Sequence, residues 1–140
     1  MSTETAPPHT TSHQYPSLRR TVSLARDDLR RHLSRWRISG ELADNAELLL
    51  SELVTNAVNA KTLPGREILV EVVLTERELR IEVADASDGQ PELRCAGALD
   101  EGGRGLVLVD ALASEWGCGA RDGVGKVVWV TLNLPERGTS

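Results

Sequence analysis

Glu52 and Asn56 stand four residues apart in the stretch Glu52-Leu53-Val54-Thr55-Asn56-Ala57-Val58-Asn59. On a helix, that spacing stacks a carboxylate and a carboxamide one turn apart on the same face, and Asn59 extends the strip. Neighbouring oxygen-bearing side chains suit a hard cation. Mg²⁺ takes oxygen ligands, keeps several waters and often binds through one protein oxygen plus phosphates. A polar face that simply meets water explains the same spacing, so the strip needs company. Asp85 lies in Val83-Ala84-Asp85-Ala86-Ser87-Asp88-Gly89. A carboxylate at a strand end can accept a hydrogen bond from an exocyclic amine such as that of adenine, and Gly89 lets the backbone approach a ring closely. Asp is also an ordinary turn residue. In Gly102-Gly103-Arg104-Gly105-Leu106, glycines precede a helix whose free N–H groups suit phosphate, and Arg104 can add a charged fork. A flexible turn before a helix fits as well. No Gly-Lys-Ser/Thr follows, so this is not a P-loop.

Helices and strands must position these groups. Leu42, Ala46, Leu49, Leu50, Leu53, Val54 and Ala57 recur at helical spacing and predict a buried stripe on the helix that carries Glu52 and Asn56. An earlier helix carries Leu18, Val22, Ala25, Leu29, Leu33 and Trp36 on one face and arginines on the other, with Ser17 placed to cap it. Residues 68–74 and 78–83 read as an antiparallel hairpin. A loop to about residue 101 leads to a helix over 106–113. Two strands follow, around 116–118 and over 126–134, the last with Val128, Val130, Leu132 and Leu134 on one face. Residues 1–16, rich in Ser, Thr, His and Pro, are predicted to be disordered, 17–135 to form one domain, and 136–140 a short tail. Hairpins and helices in separate runs predict an α+β fold: a two-layer sandwich with helices on one face of a mixed, mostly antiparallel sheet.

Composition narrows the function classes. The 140 residues suit a single domain with a real core. Net charge is −5 but unevenly placed: residues 1–37 hold seven arginines against three acids (+4), the remainder nine basic against eighteen acidic residues (−9). An acidic body with no Phe, one Tyr and three Trp argues against direct nucleic-acid binding. No apolar run approaches a membrane span or a signal-peptide core. Cys95 and Cys118 lack metal-ligand spacing and a disulfide framework and read as small filler, so a reducing cytoplasm is expected.

In combination the motifs are more specific. Glu and Asn on a helix, Asp after a strand and a Gly-Arg-Gly helix start resemble the ATP-binding domain shared by histidine kinases, gyrase B, Hsp90 and MutL. Within that superfamily the chain looks like the small bacterial anti-sigma-factor serine/threonine kinases and their single-domain actinobacterial relatives. The segments that carry the resemblance are 46–58, 103–113, Trp116-Gly117 and 125–130, and it spans roughly residues 17 to 135.

The resemblance implies a Bergerat-type fold, ATP and Mg²⁺ as cofactors, and roles for matching residues. Asn56 matches the Mg²⁺ ligand, and Glu52 the general base or water holder near the γ-phosphate. Asp85 matches the adenine-binding residue. Gly103 and Gly105 match the phosphate-side glycines, with Arg104 and Leu106 beside them and Gly89 on the base side. Thr131 is matched to a threonine near adenine. The implied partners are a sigma factor or similar regulator and an antagonist protein phosphorylated on Ser or Thr. No membrane partner is implied, and a homodimer is allowed. Three positions depart from the pattern: Ser87 replaces a glycine, Asn59 a common basic residue, and Ala60 a histidine common in kinase-like members. They remove polar or charged groups from the phosphate side. The competing reading is a non-catalytic ATP-binding interaction module. A sensor histidine kinase is disfavoured, because His9, His13 and His32 do not lie in a dimerisation helix. Replacing Asp85 by Asn is expected to weaken ATP binding and spare the fold.

Overall fold

The computed structural model describes residues 9–59, 67–85, 104–120 and 125–135. Within them lie strand β1 (His9–Pro16), helices α1 (Arg20–Arg35) and α2 (Gly40–Asn59), strands β2 (Glu67–Leu74) and β3 (Glu78–Asp85), helix α3 (Arg104–Leu112), and strands β4 (Glu115–Ala120) and β5 (Lys126–Asn133). The strands form one sheet in the order β1-β2-β3-β5-β4. Every pairing is antiparallel, so among the described residues the expected mixed sheet is a fully antiparallel one. The α+β fold is as expected.

Strand alternation builds the core. Val70, Val83 and Val128 sit opposite one another across β2, β3 and β5, as do Val72, Ile81 and Val130. Leu79 faces Leu132 one rung on. All eight are buried, because period-2 geometry sends them to one face. α2 lies on that face, touching β2, β3, β5, α1 and α3. Ala46, Leu49, Leu50, Leu53, Val54 and Ala57 of its predicted stripe are buried, and Leu42 packs partly buried at the margin. The other face of the sheet bears Arg80, which bonds Glu82 at 2.7 Å and lies 4.4 Å over the Trp129 ring. That indole covers Gly117, its cross-strand partner. A Cβ at 117 would fall 2.8 Å from Trp129 Cζ2.

Two expectations at the N-terminal end are corrected. Residues 9–16 are an edge strand paired to β2 from His9↔Leu74 to Pro16↔Glu67, rather than disordered. The inward positions hold them. Tyr15 is buried and donates to Asp28 Oδ2 at 2.5 Å. His13 Nε2 meets His32 Nε2 at 2.9 Å, with ring centroids 5.2 Å apart, so the rings meet tip to tip. His32 stacks on Trp36 and Trp36 on His9. Burial pushes the Tyr15 phenol above its usual value, opposed by Arg31. Burial likewise lowers the His32 imidazole, helped by His13, Arg35 and Arg31. Nor does Ser17 cap α1. The N-cap is Arg19, without a side-chain bond, and Thr21 Oγ1 instead ties the first turn to the Pro16 carbonyl at 2.5 Å.

The far end of α1 closes in a Schellman motif: Ile38 N–H donates to Leu33 O at 2.8 Å and Arg37 N–H to Ser34 O at 3.1 Å. Arg37 takes the left-handed conformation (φ 64°) that this motif requires. Arg30 then clamps α1 to α2 through a two-pronged bond to Glu47, at 2.6 and 2.9 Å. Cys118, expected as filler, is disulfide-bonded; Cys95 lies outside the described residues.

Candidate functional site

The site is built from α2 upward. Its apolar stripe turns one side to the sheet, which leaves Glu52 and Asn56 half-buried at the margin of that contact. Asn59, at the last position of the helix, is exposed. The Asn56 carboxamide is unusual: its Nδ2 is buried and has no hydrogen-bond partner. A buried amide left unsatisfied costs free energy. Rotation of the carboxamide by 180° exchanges its nitrogen and oxygen. Asn56 therefore offers a buried polar atom that a ligand can complete, as an oxygen toward a cation. Together with the Glu52 carboxylate this donor set suits Mg²⁺. Among the described residues no group of three His, Cys, Asp or Glu side chains could hold a metal. A cation on Asn56 would thus draw most of its ligands from phosphate and water.

Asp85 is the last residue of β3 and is buried. Its position follows the core alternation: two residues beyond Val83, it faces the helical layer. Directly opposite on β5 is Lys126, also buried, with Nζ 3.9 Å from Asp85 Oδ2. The rung beyond Val83–Val128 is therefore an ion pair. Sequence reasoning missed Lys126, although stepping back two residues from Val128 would have put it on the inner face.

α3 begins at Arg104, so Gly105 and Leu106 lie in its first turn, where helix geometry leaves backbone N–H groups without intrahelical acceptors. Gly103 and Gly89 lie outside the described residues. α2 touches β3, β5 and α3, the elements that carry Asp85, Lys126 and Arg104. Thr131 does not join this set. It is paired with Arg80, on the alternate register from Asp85, and so its side chain leaves the opposite face of the sheet. A surface cleft of about 520 Å³ at the α1–α2 corner, lined by Arg30, Ser34, Arg37, Asp44 and Glu47 among others, contains none of the expected site residues.

A family model described as a histidine kinase-like ATPase domain matches residues 15–132. The chain belongs to that family. Membership supports ATP binding and accords with the fold and with the carboxylate, carboxamide and helix start described above. No curated protein matches the chain. Among the described residues, no helix is long and apolar enough to cross a membrane.

Proposed function

We propose that the protein binds ATP with Mg²⁺ and transfers the γ-phosphoryl group to a Ser or Thr of an antagonist protein, in the manner of anti-sigma-factor kinases, acting in the cytoplasm on a sigma factor or similar regulator. Membership in the histidine kinase-like ATPase family supports the nucleotide, and the unsatisfied buried Asn56 amide is the observation that carries the assignment of a ligand there. Asp85 takes the exocyclic amine of adenine. Gly89, Gly103, Arg104, Gly105 and Leu106 are assigned to the nucleotide by motif. Asn56 would hold the Mg²⁺, which neutralises phosphate charge when bound. Glu52 accepts the proton of the attacking hydroxyl. As that oxygen bonds to the γ-phosphorus, the bond from phosphorus to the β–γ bridging oxygen breaks and ADP leaves.

The test is incubation of the full chain with γ-labelled ATP and candidate antagonist proteins. Label should appear on a Ser or Thr with the wild type. Glu52→Ala should still bind ATP by calorimetry but lose transfer, because a general base acts on the nucleophile rather than on bound ATP. Transfer that survives Glu52→Ala unchanged overturns the base assignment. Asn59 and Ala60, which leave the phosphate side short of charge, favour a second reading as an ATP-binding interaction module. Wild type that binds ATP with Mg²⁺ yet labels no partner decides for it.

A further inference from the structure

Cys118 stands on β4 opposite Val128, which in turn faces Val83 of β3. It is therefore on the inner face of the sheet, one rung from the buried Asp85–Lys126 pair. It is half-buried and packs against the core. β4 is an edge strand, held to α3 by the Trp116 indole, whose Nε1–H donates to Asp110 Oδ1 at 2.7 Å. Cys118 is disulfide-bonded, and no cysteine among the described residues is free. The chain has one other cysteine, Cys95. In sequence, Cys95 falls midway along the eighteen residues, 86–103, that join Asp85 to Arg104, with nine before it and eight after. The first half carries Gly89 and the second Gly103, both assigned above to the nucleotide.

We propose that Cys95 and Cys118 form a reversible thiol–disulfide site that takes glutathione disulfide or a similar small disulfide as oxidant, and that the oxidised chain binds ATP more tightly than the reduced one. The effect on ATP rests on the nucleotide reading above; the thiol site does not. In the cytoplasm proposed for the protein, disulfides form transiently and answer to redox poise. A half-buried sulfur on an edge strand is within reach of an attacking thiolate. Oxidation forms one S–S bond between the two side chains and breaks the S–S bond of glutathione disulfide. Two electrons and two protons pass from the protein thiols to the two glutathione thiols released. Reduced glutathione reverses this by thiolate attack on a protein sulfur. Bonding Cys95 to a strand beside α3 shortens each stretch that must order around a nucleotide. Part of the ordering cost then falls on oxidation rather than on binding. Relieving the cost of ordering one residue is worth a factor of about ten in affinity.

The test treats the full chain with reduced or oxidised glutathione, labels free thiols with a maleimide and digests it for mass spectrometry. The reduced form should take two labels. The oxidised form should take none, remain a single chain on non-reducing electrophoresis and yield one peptide pair joined through Cys95 and Cys118. Calorimetry with ATP and Mg²⁺ should then show the oxidised form binding about tenfold more tightly. Cys95→Ser and Cys118→Ser should each bind ATP like the reduced wild type and ignore the oxidant. Two free thiols after oxidation, or a bond between two chains, overturns the pairing. A bond that reduced glutathione and thioredoxin leave intact overturns its reversibility. Equal affinity in the two forms, or tighter binding by the reduced one, overturns the effect on ATP. A bond that forms and reopens while neither form binds ATP overturns the nucleotide reading and leaves the thiol site standing. The comparison of the two wild-type forms is decisive even if a variant fails to fold.

Discussion

The sheet carries polar side chains on its inner face at two places and holds them differently. At the β1 edge, exposed His9, half-buried His13 and buried Tyr15 lie against α1 and are held by ring contacts: tip-to-tip imidazoles, stacking on Trp36 and one phenol-to-Asp28 bond. In the middle, β3 and β5 bury one full charge of each sign. Burial holds the His32 imidazole below its usual value, so its contribution lasts only while it is neutral. The centre is thus held by paired charge, and the edge includes a histidine that acid releases.

The largest effect should come from breaking the central pair on one side. Asp85→Asn or Lys126→Met removes one member of a buried ion pair, at a cost of about 3–5 kcal/mol. Urea denaturation should show this as a lower midpoint with unchanged slope. The joint variant Asp85→Leu with Lys126→Met should recover most of the loss. Single-variant costs as small as those of surface substitutions would erase the contrast between centre and edge. The expectation that Asp85→Asn spares the fold is therefore replaced, and a binding assay on that variant needs a stability control.

A smaller effect should appear at the edge on acidification. His32 is depressed in the folded state, so that state binds fewer protons than the unfolded chain. Its contribution is fully present above the unfolded value near 6.5 and is lost as pH falls below it. The charged and titratable groups acting on it are His13 from β1 and Arg35 and Arg31 from its own helix, with His9 beyond Trp36. Thermal unfolding should show stability falling between about pH 7 and about pH 5, with β1 amides exchanging first. His32→Phe should flatten that slope. An unaltered slope in His32→Phe would assign the acid sensitivity elsewhere.

The smallest effect sharpens the comparison by separating charge from burial. The Arg30–Glu47 bridge has better hydrogen-bond geometry than the central pair but is exposed. Its bond to Arg30 holds the Glu47 carboxyl below the usual value, so its contribution is lost only as pH falls below the carboxylate range. Glu47→Gln should shift the melting temperature no more than ordinary surface substitutions do. A shift comparable to that of Lys126→Met would mean that bond geometry, and not burial, sets the worth of these pairs.

Most of the core was legible because apolar periodicity reports it directly. The α2 stripe, the β2–β3 hairpin and the inner face of β5 all follow from spacing. β1 was not, because its inward residues are His, Thr, His and Tyr, and a hydrophobic-periodicity rule does not count them. The same blindness hid Lys126, which occupies an apolar rung with a charged side chain. Thr131 erred in the other direction: a motif match placed it near Asp85, whereas odd and even parity along β5 puts it on the other face. Type and spacing single out Glu52, Asn56 and Asp85, and the roles given to them belong to the proposed function. The orphaned state of the Asn56 amide emerged only from packing.

Gly117 and Trp129 carry a consequence for sequence variation. Any side chain at 117 meets the indole ring at 2.8 Å, and Arg80 lies against the same indole. At this backbone spacing a β-carbon at 117 and a tryptophan at 129 exclude one another. The two positions are thus a single heritable unit: a descendant chain gains freedom at 117 only after 129 has shrunk, and Arg80 loses its platform in the same step.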